Sequence, residues 1–192
     1  MVSDRFDPGR AANLESAERR MAVVPQEILA AAGASPGMIC ADLGSGTGFF
    51  TRPLSRMVGP HGTVCSIDAS LEMLRYQRGL LDGQTDGEVH LIAAQVERVP
   101  LRSALLDLCL TCFVLHEVEN RAALFSEIHR LVRPGGRLLL VDWAAIEPPP
   151  GPDLARRVPR DVALREAAAA GLVLLTEIPQ PAQHYALVLQ RV

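Results

Sequence analysis

Short apolar runs alternate with amphipathic segments along most of the chain. The runs at 38–42 (MICAD), 63–68 (TVCSID), 89–94 (VHLIAA), 106–115 (LDLCLTCFVL) and 137–142 (RLLLVD) are nearly continuous in hydrophobic character. Strands covered on both faces read this way. Between them, 49–58, 71–81 and 121–132 read as helices, and Leu124, Phe125, Ile128, Leu131 and Val132 fall on one helical face. Ser70 is placed to cap the second of these helices, and Arg133-Pro134-Gly135-Gly136 to stop the third. Such a βαβα order predicts an α/β fold, a Rossmann-like open and mostly parallel sheet with helices on both faces.

The two ends depart from this rhythm. Residues 1–20 are polar without a period and predict an arm leading into a helix that Pro25 opens and Gly33 closes. Residues 143–159 form a proline-rich loop, and a helix near 160–170 follows. Two last apolar runs, 172–178 and 184–190, are separated by five residues, which predicts an antiparallel hairpin. One domain over 1–192 accounts for all of these elements.

Composition narrows the picture. Of 192 residues, 48% are hydrophobic and 21% charged, enough apolar content for a packed core. No run of 18 apolar residues and no signal-peptide pattern is present, so a cytoplasmic protein with no membrane partner is expected. A net charge of −3 argues against a nucleic-acid partner. All 19 basic residues are arginine, which excludes Schiff-base or phosphate-loop lysine chemistry. Cys40, Cys65, Cys109 and Cys112 all lie in predicted strands. The CxxC spacing of the last two sends their side chains to opposite faces of an extended strand. They read as buried structural thiols, and no metal site is expected.

The segment Asp42-Leu43-Gly44-Ser45-Gly46-Thr47-Gly48 ends the first strand and opens a helix. Glycines there let the backbone turn tightly and approach a ligand. A second acid, Asp68, ends the next strand 20 residues beyond Gly48, where a carboxylate can accept both ribose hydroxyls of a nucleoside. Phe49 stands where the dinucleotide fingerprint has its third glycine. Asp42 would repel a phosphate and welcome a cationic amino group. A nucleoside carrying an amino acid has that shape, and S-adenosylmethionine is such a molecule.

These residues belong to a longer pattern. ADLGSGTG, CSIDAS, VERVPL, LDLCLTCFVLHEVEN and IHRLVRPGGRLLLVDW occur in order between residues 36 and 143. The pattern resembles the class I S-adenosylmethionine-dependent methyltransferases, of the small type near the ubiquinone/menaquinone C-methyltransferases. The resemblance implies that Asp42, Gly44, Ser45, Gly46, Thr47 and Gly48 face the methionine portion of the cofactor. It implies that Asp68 binds the ribose and that Ala69 and Met73 line the adenine. Gln95 stands where the family usually has Asp, and its amide oxygen can still accept from the adenine amino group. Val96 would offer its backbone N–H to the ring, and the backbone around Phe113 would meet the amino group.

His116 follows the fourth strand, beside the place where the methyl group is expected. It reads as a general base if the acceptor must lose a proton, and as a pocket-lining histidine otherwise. His61, His90 and His129 read as structural. By fold analogy, Trp143, Glu147 and Tyr185 shape an acceptor pocket. The function expected is in-line transfer of a methyl group to a small or medium-sized acceptor, with S-adenosylhomocysteine as product. Two alternatives stay open at this point: an NAD(P)-dependent oxidoreductase, and a non-catalytic cofactor-binding or scaffold protein.

Overall fold

The computed structural model describes residues 23–146 and 151–192. The elements are α1 (Pro25–Ala31), β1 (Ile39–Leu43), α2 (Thr51–Val58), β2 (Thr63–Asp68), α3 (Leu71–Leu81), β3 (Glu88–Ala93) and β4 (Leu106–Cys112). A single 3-10 turn (Leu115–Glu117) precedes α4 (Arg121–Leu131) and β5 (Val132–Trp143). After a second such turn (Leu154–Arg156) come α5 (Arg160–Ala169), β6 (Leu172–Ile178) and β7 (His184–Arg191). Local chemistry sets several of these boundaries. Pro25 occupies the first turn of α1, the Ser70 side chain accepts from the Met73 amide at the start of α3, and Asn120 caps α4 through the Ala123 amide. The expected arm over 1–20 lies outside the described residues.

The seven strands form one sheet in the order β3-β2-β1-β4-β5-β7-β6. β1 pairs parallel with β2 and β4, β2 with β3, and β4 with β5. β7 runs antiparallel to both β5 and β6. The hairpin expected from the five-residue connection is present, and its second strand is inserted between β5 and the edge strand β6. The reversal of strand order between β1 and β4 opens the crevice in which ligands of α/β sheets bind.

Side chains alternate across the sheet and build two cores. Ala41, Leu43, Ile67, Cys109 and Leu140 pack on one face against Leu124, Phe125 and Ile128 of α4 and Ala163 of α5. Cys40, Val64, Leu110, Cys112 and Val141 pack on the other against Leu29 of α1 and Leu54 and Val58 of α2. Each fully buried leucine contributes roughly 1.5–3 kcal/mol. Cys109 and Cys112 do point to opposite faces, and the four cysteines are unbridged and buried. Burial pushes the Cys40 thiol up to about 12, which keeps it protonated and unreactive.

Two boundaries differ from expectation. β4 stops at Cys112 and not at residue 115, because Phe113 adopts φ 61° and breaks the extended run. β5 begins at Val132 and not at residue 137. Val132 pairs with Leu106, and Arg133-Pro134-Gly135-Gly136 bulge out before Arg137 pairs with Leu108.

The loop after β3 is fastened to α4. The Glu127 carboxylate accepts from the Val99 amide (2.6 Å) and from Arg130 Nε and Nη2, both at 2.7 Å. Arg130 in turn donates to the Val99 and Leu101 carbonyls at 3.0 and 2.8 Å. Arg130 holds the Glu127 carboxyl below its ordinary value, so this contribution to stability is complete above that value and is lost as acidification passes through the lowered one. Arg130→Met is expected to cost about 1–2 kcal/mol at neutral pH and to reduce the loss of stability on acidification. Urea unfolding of both proteins at neutral and acidic pH measures it.

Candidate functional site

The carboxyl ends of β1, β2, β3 and β4 gather the residues singled out in the sequence. β1 delivers Asp42 and then the glycine loop. The Gly44 and Ser45 amides donate to the Ile67 carbonyl at 2.8 and 2.9 Å, which folds the loop over the end of β2. Gly44, Gly46 and Gly48 all have positive φ. At Gly44 a side chain is excluded twice, since a Cβ there would lie 2.4 Å from Val114 Cγ2. Val114 comes from the end of β4, so this glycine permits the β1 loop and the β4 loop to meet at the crevice.

Beneath the loop runs a buried polar chain. Thr51 Oγ1 donates to Asp42 Oδ2 at 2.6 Å and lies 3.3 Å from Ser66 Oγ. Gln77 Nε2 donates to Ser66 Oγ at 2.8 Å, and Ser45 Oγ donates to Gln77 Oε1 at 3.3 Å. Asp42, Ser45, Thr51, Ser66 and Gln77 are all buried. Asp42 thus has a structural partner as well as a place beside the loop.

Asp68 ends β2 as expected. Its Oδ2 accepts from the Gly46 amide and its Oδ1 from the Ser70 amide, each at 2.8 Å. The carboxylate therefore ties the glycine loop to the start of α3. The Ala94 amide donates to the Asp68 carbonyl at 3.1 Å, which draws the loop after β3 alongside. Ala69 and Gln95 are exposed there, Val96 is half-buried and Met73 is buried. Thr47 and Gly48 are buried, with Gly48 packed over Gln77. Phe49 is buried in the core and meets Phe50 edge-on at 5.5 Å.

At the end of β4 the left-handed backbone of Phe113 turns the chain, with the Phe113 amide donating to the Val141 carbonyl at 2.7 Å. A non-glycine residue in that region stores strain, of the kind found where a site dictates geometry. The 3-10 turn that follows sets His116 against Asp142 near the end of β5. Nδ1 of His116 lies 2.7 Å from Asp142 Oδ1. The sequence reading did not single out Asp142, Gln77, Thr51 or Ser66.

Beyond β4 and β5 an aromatic cluster closes the rim. Phe113, Trp143 and His184 have ring centroids 4.5 to 5.6 Å apart. Arg157 sits over Trp143 at 5.4 Å and donates to the Ala144 and Pro152 carbonyls, so it bridges these two residues of the proline-rich loop. Tyr185 does not join this rim: it is buried in the opposite core and its hydroxyl donates to the Val158 carbonyl at 3.1 Å. Glu147 lies outside the described residues. Among the described residues, no group of His, Cys, Asp and Glu is arranged to hold a metal ion, and no helix is long and apolar enough to cross a membrane.

A model of the methyltransferase domain family matches residues 41–140, more than half of the chain. The chain belongs to this methyltransferase family. It is a class I member, as the five sequence motifs implied. It is similar to the ubiquinone/menaquinone biosynthesis C-methyltransferase UbiE of Vibrio campbellii, at 35% identity over 113 residues. That match covers 58% of this chain and 44% of the relative, so it spans under half of the relative's length. Among solved structures, a SAM dependent methyltransferase from Aquifex aeolicus superposes with a TM-score of 0.91 at 25% identity, covering 98% of this chain and 100% of the other. The 1,6-didemethyltoxoflavin-N1-methyltransferase of Burkholderia thailandensis shares the fold, with a TM-score of 0.73, 18% identity and coverage of 96% and 82%. The strand order supports the family over an oxidoreductase, since dinucleotide-binding sheets run 3-2-1-4-5-6 without the inserted antiparallel strand.

The polar chain under the loop makes a direct prediction. Gln77→Leu leaves the Ser66 and Ser45 hydroxyls without their amide partner in a buried place. It should destabilise the methyltransferase by about 1–3 kcal/mol, read from denaturant midpoints at constant slope. A change under a few tenths of a kcal/mol would show that water replaces the amide there.

Proposed function

We propose that this chain transfers the methyl group of S-adenosylmethionine to a small or medium-sized molecule by in-line displacement. The observation that carries the reading is Asp68: a carboxylate at the end of β2 whose two oxygens accept from the Gly46 and Ser70 amides stands between the glycine loop and α3, where the ribose of a nucleoside would lie. The glycine loop would take the methionine portion, with Asp42, Gly44, Ser45, Gly46, Thr47 and Gly48 around it. Ala69, Met73, Gln95 and Val96 would flank the adenine, and the Phe113 turn would meet the amino group. The bound sulfonium supplies an already activated methyl group. The task left to the protein is to position the acceptor and exclude water. The rim formed by Phe113, Trp143 and His184 is where we place the acceptor. Four unbridged thiols suit a reducing compartment, and we place the protein in the cytoplasm on that ground.

The test is transfer from methyl-labelled S-adenosylmethionine to a panel spanning acceptor atoms: 1,4-naphthohydroquinone, catechol, a heteroaromatic amine, a thiol and arsenite. Label on at least one small molecule, with none on RNA or DNA, is the expected result. Label on nucleic acid alone contradicts the acceptor class. Asp68→Ala should weaken S-adenosylhomocysteine binding roughly 10- to 100-fold, since hydrogen bonds to a charged acceptor are worth ~1.5–3 kcal/mol. Unchanged affinity in a folded variant would remove Asp68 from the site.

A further inference from the structure

The pairing of His116 with Asp142 goes further than a histidine near the methyl group. Asp142 is wholly buried. Its Oδ1 accepts from the Trp143 amide at 2.7 Å and its Oδ2 from the His116 amide at 3.2 Å. Among the described residues His116 is the only ionisable side chain paired with it. A buried carboxylate accepts hydrogen bonds and does not donate them. The imidazole nitrogen 2.7 Å away must therefore be Nδ1–H, and in the neutral ring Nε2 then carries the free lone pair. Among the described residues, the carboxylate oxygen nearest to Nε2 is Glu117 Oε1 at 3.8 Å, beyond hydrogen-bonding distance. Glu117 is near enough to Asp68 to feel its charge, so the dyad and the glycine-loop carboxylate share one end of the crevice.

An imidazole fixed in one tautomer by a buried carboxylate, with its other nitrogen free, is the arrangement of a general base and its orienting residue. We infer that His116 takes a proton from the methyl acceptor through Nε2, with Asp142 as the residue that positions it. The acceptor is accordingly protic: a hydroxyl, an N–H or an acidic C–H. This rests on the methyl-transfer reading above. As the acceptor's electron pair bonds to the methyl carbon, the carbon–sulfur bond breaks and its pair stays on sulfur. The acceptor's proton goes to Nε2, and the imidazolium so formed is stabilised by the Asp142 carboxylate until water removes the proton. A thioether or tertiary amine has no proton to give and makes no use of the pair.

The proton's place can be read without turnover. Protein labelled with nitrogen-15 at histidine is examined by NMR, with and without S-adenosylhomocysteine, at a pH where the ring is neutral. Diethyl pyrocarbonate, which acylates an unprotonated imidazole nitrogen, is applied in parallel and the product located by mass spectrometry. We expect His116 with its proton on Nδ1, and modification at Nε2 with S-adenosylhomocysteine bound. In Asp142→Asn the Nδ1–H tautomer should lose its dominance and modification should slow at least tenfold, while S-adenosylhomocysteine affinity stays within threefold. A proton on Nε2 in the wild type, or a His116 inert to the reagent, overturns the inference. So does an Asp142→Asn protein with unchanged tautomer and reactivity. If that variant does not fold, the wild-type tautomer and reactivity decide alone. Failure of the wild type to bind S-adenosylhomocysteine would instead sink the methyltransferase reading, and the tautomer of the free protein would still decide the dyad.

Discussion

A hydrogen-bonded chain buried under the glycine loop, from Asp42 through Thr51 and Ser66 to Gln77 and Ser45, determines where the backbone of that loop lies. Each link joins a different element. Asp42 is in β1, Thr51 opens α2, Ser66 is in β2 and Gln77 is in α3. Burying any of these groups unpaired costs of order 1–3 kcal/mol, a large share of the stability of a domain this size. The loop is therefore held in one shape before a ligand arrives, and the Asp68 carboxylate completes the support from above through the Gly46 amide. A ligand site built this way pays its ordering cost on folding, which favours tight binding afterwards.

Most of the architecture was legible because strands covered on both faces carry a signal that needs no partner to be recognised. The six-residue run TVCSID and the final hairpin were bounded in the sequence almost as they fold. Legibility failed where backbone conformation, and not hydrophobicity, decides. LDLCLTCFVL is apolar throughout, and nothing in it announces that Phe113 turns left-handed. Arg133-Pro134-Gly135-Gly136 reads as a stop, whereas the chain resumes pairing on both sides of it.

The site divides in the same way. Asp42 and Asp68 stood out because an acid at the end of an apolar strand has few reasons to be there. Gln77 did not, since a polar residue on an amphipathic helix ordinarily faces water. Asp142 was visible as the end of RLLLVD, but its pairing with a histidine 26 residues earlier depends on β4 and β5 lying side by side. Phe49 stands where the dinucleotide fingerprint has a glycine. Its ring is buried in the core beside Phe50, and the acids of the crevice supply the discrimination against a pyrophosphate.

That charge is the central physical feature of the crevice. Asp42, Asp68, Glu117 and Asp142 lie at the carboxyl edge of one sheet, and burial raises the Glu117 carboxyl above its ordinary value against the opposing pull of His116 and Arg156. An amino acid joined to a nucleoside brings an ammonium group to this edge, whereas a dinucleotide brings two phosphates. Titration calorimetry of the wild-type protein with S-adenosylhomocysteine and, separately, with NAD therefore bears on the account most directly. Micromolar or tighter binding of S-adenosylhomocysteine, with NAD at least a hundredfold weaker, is the predicted result. Tight NAD binding with no S-adenosylhomocysteine signal would contradict it.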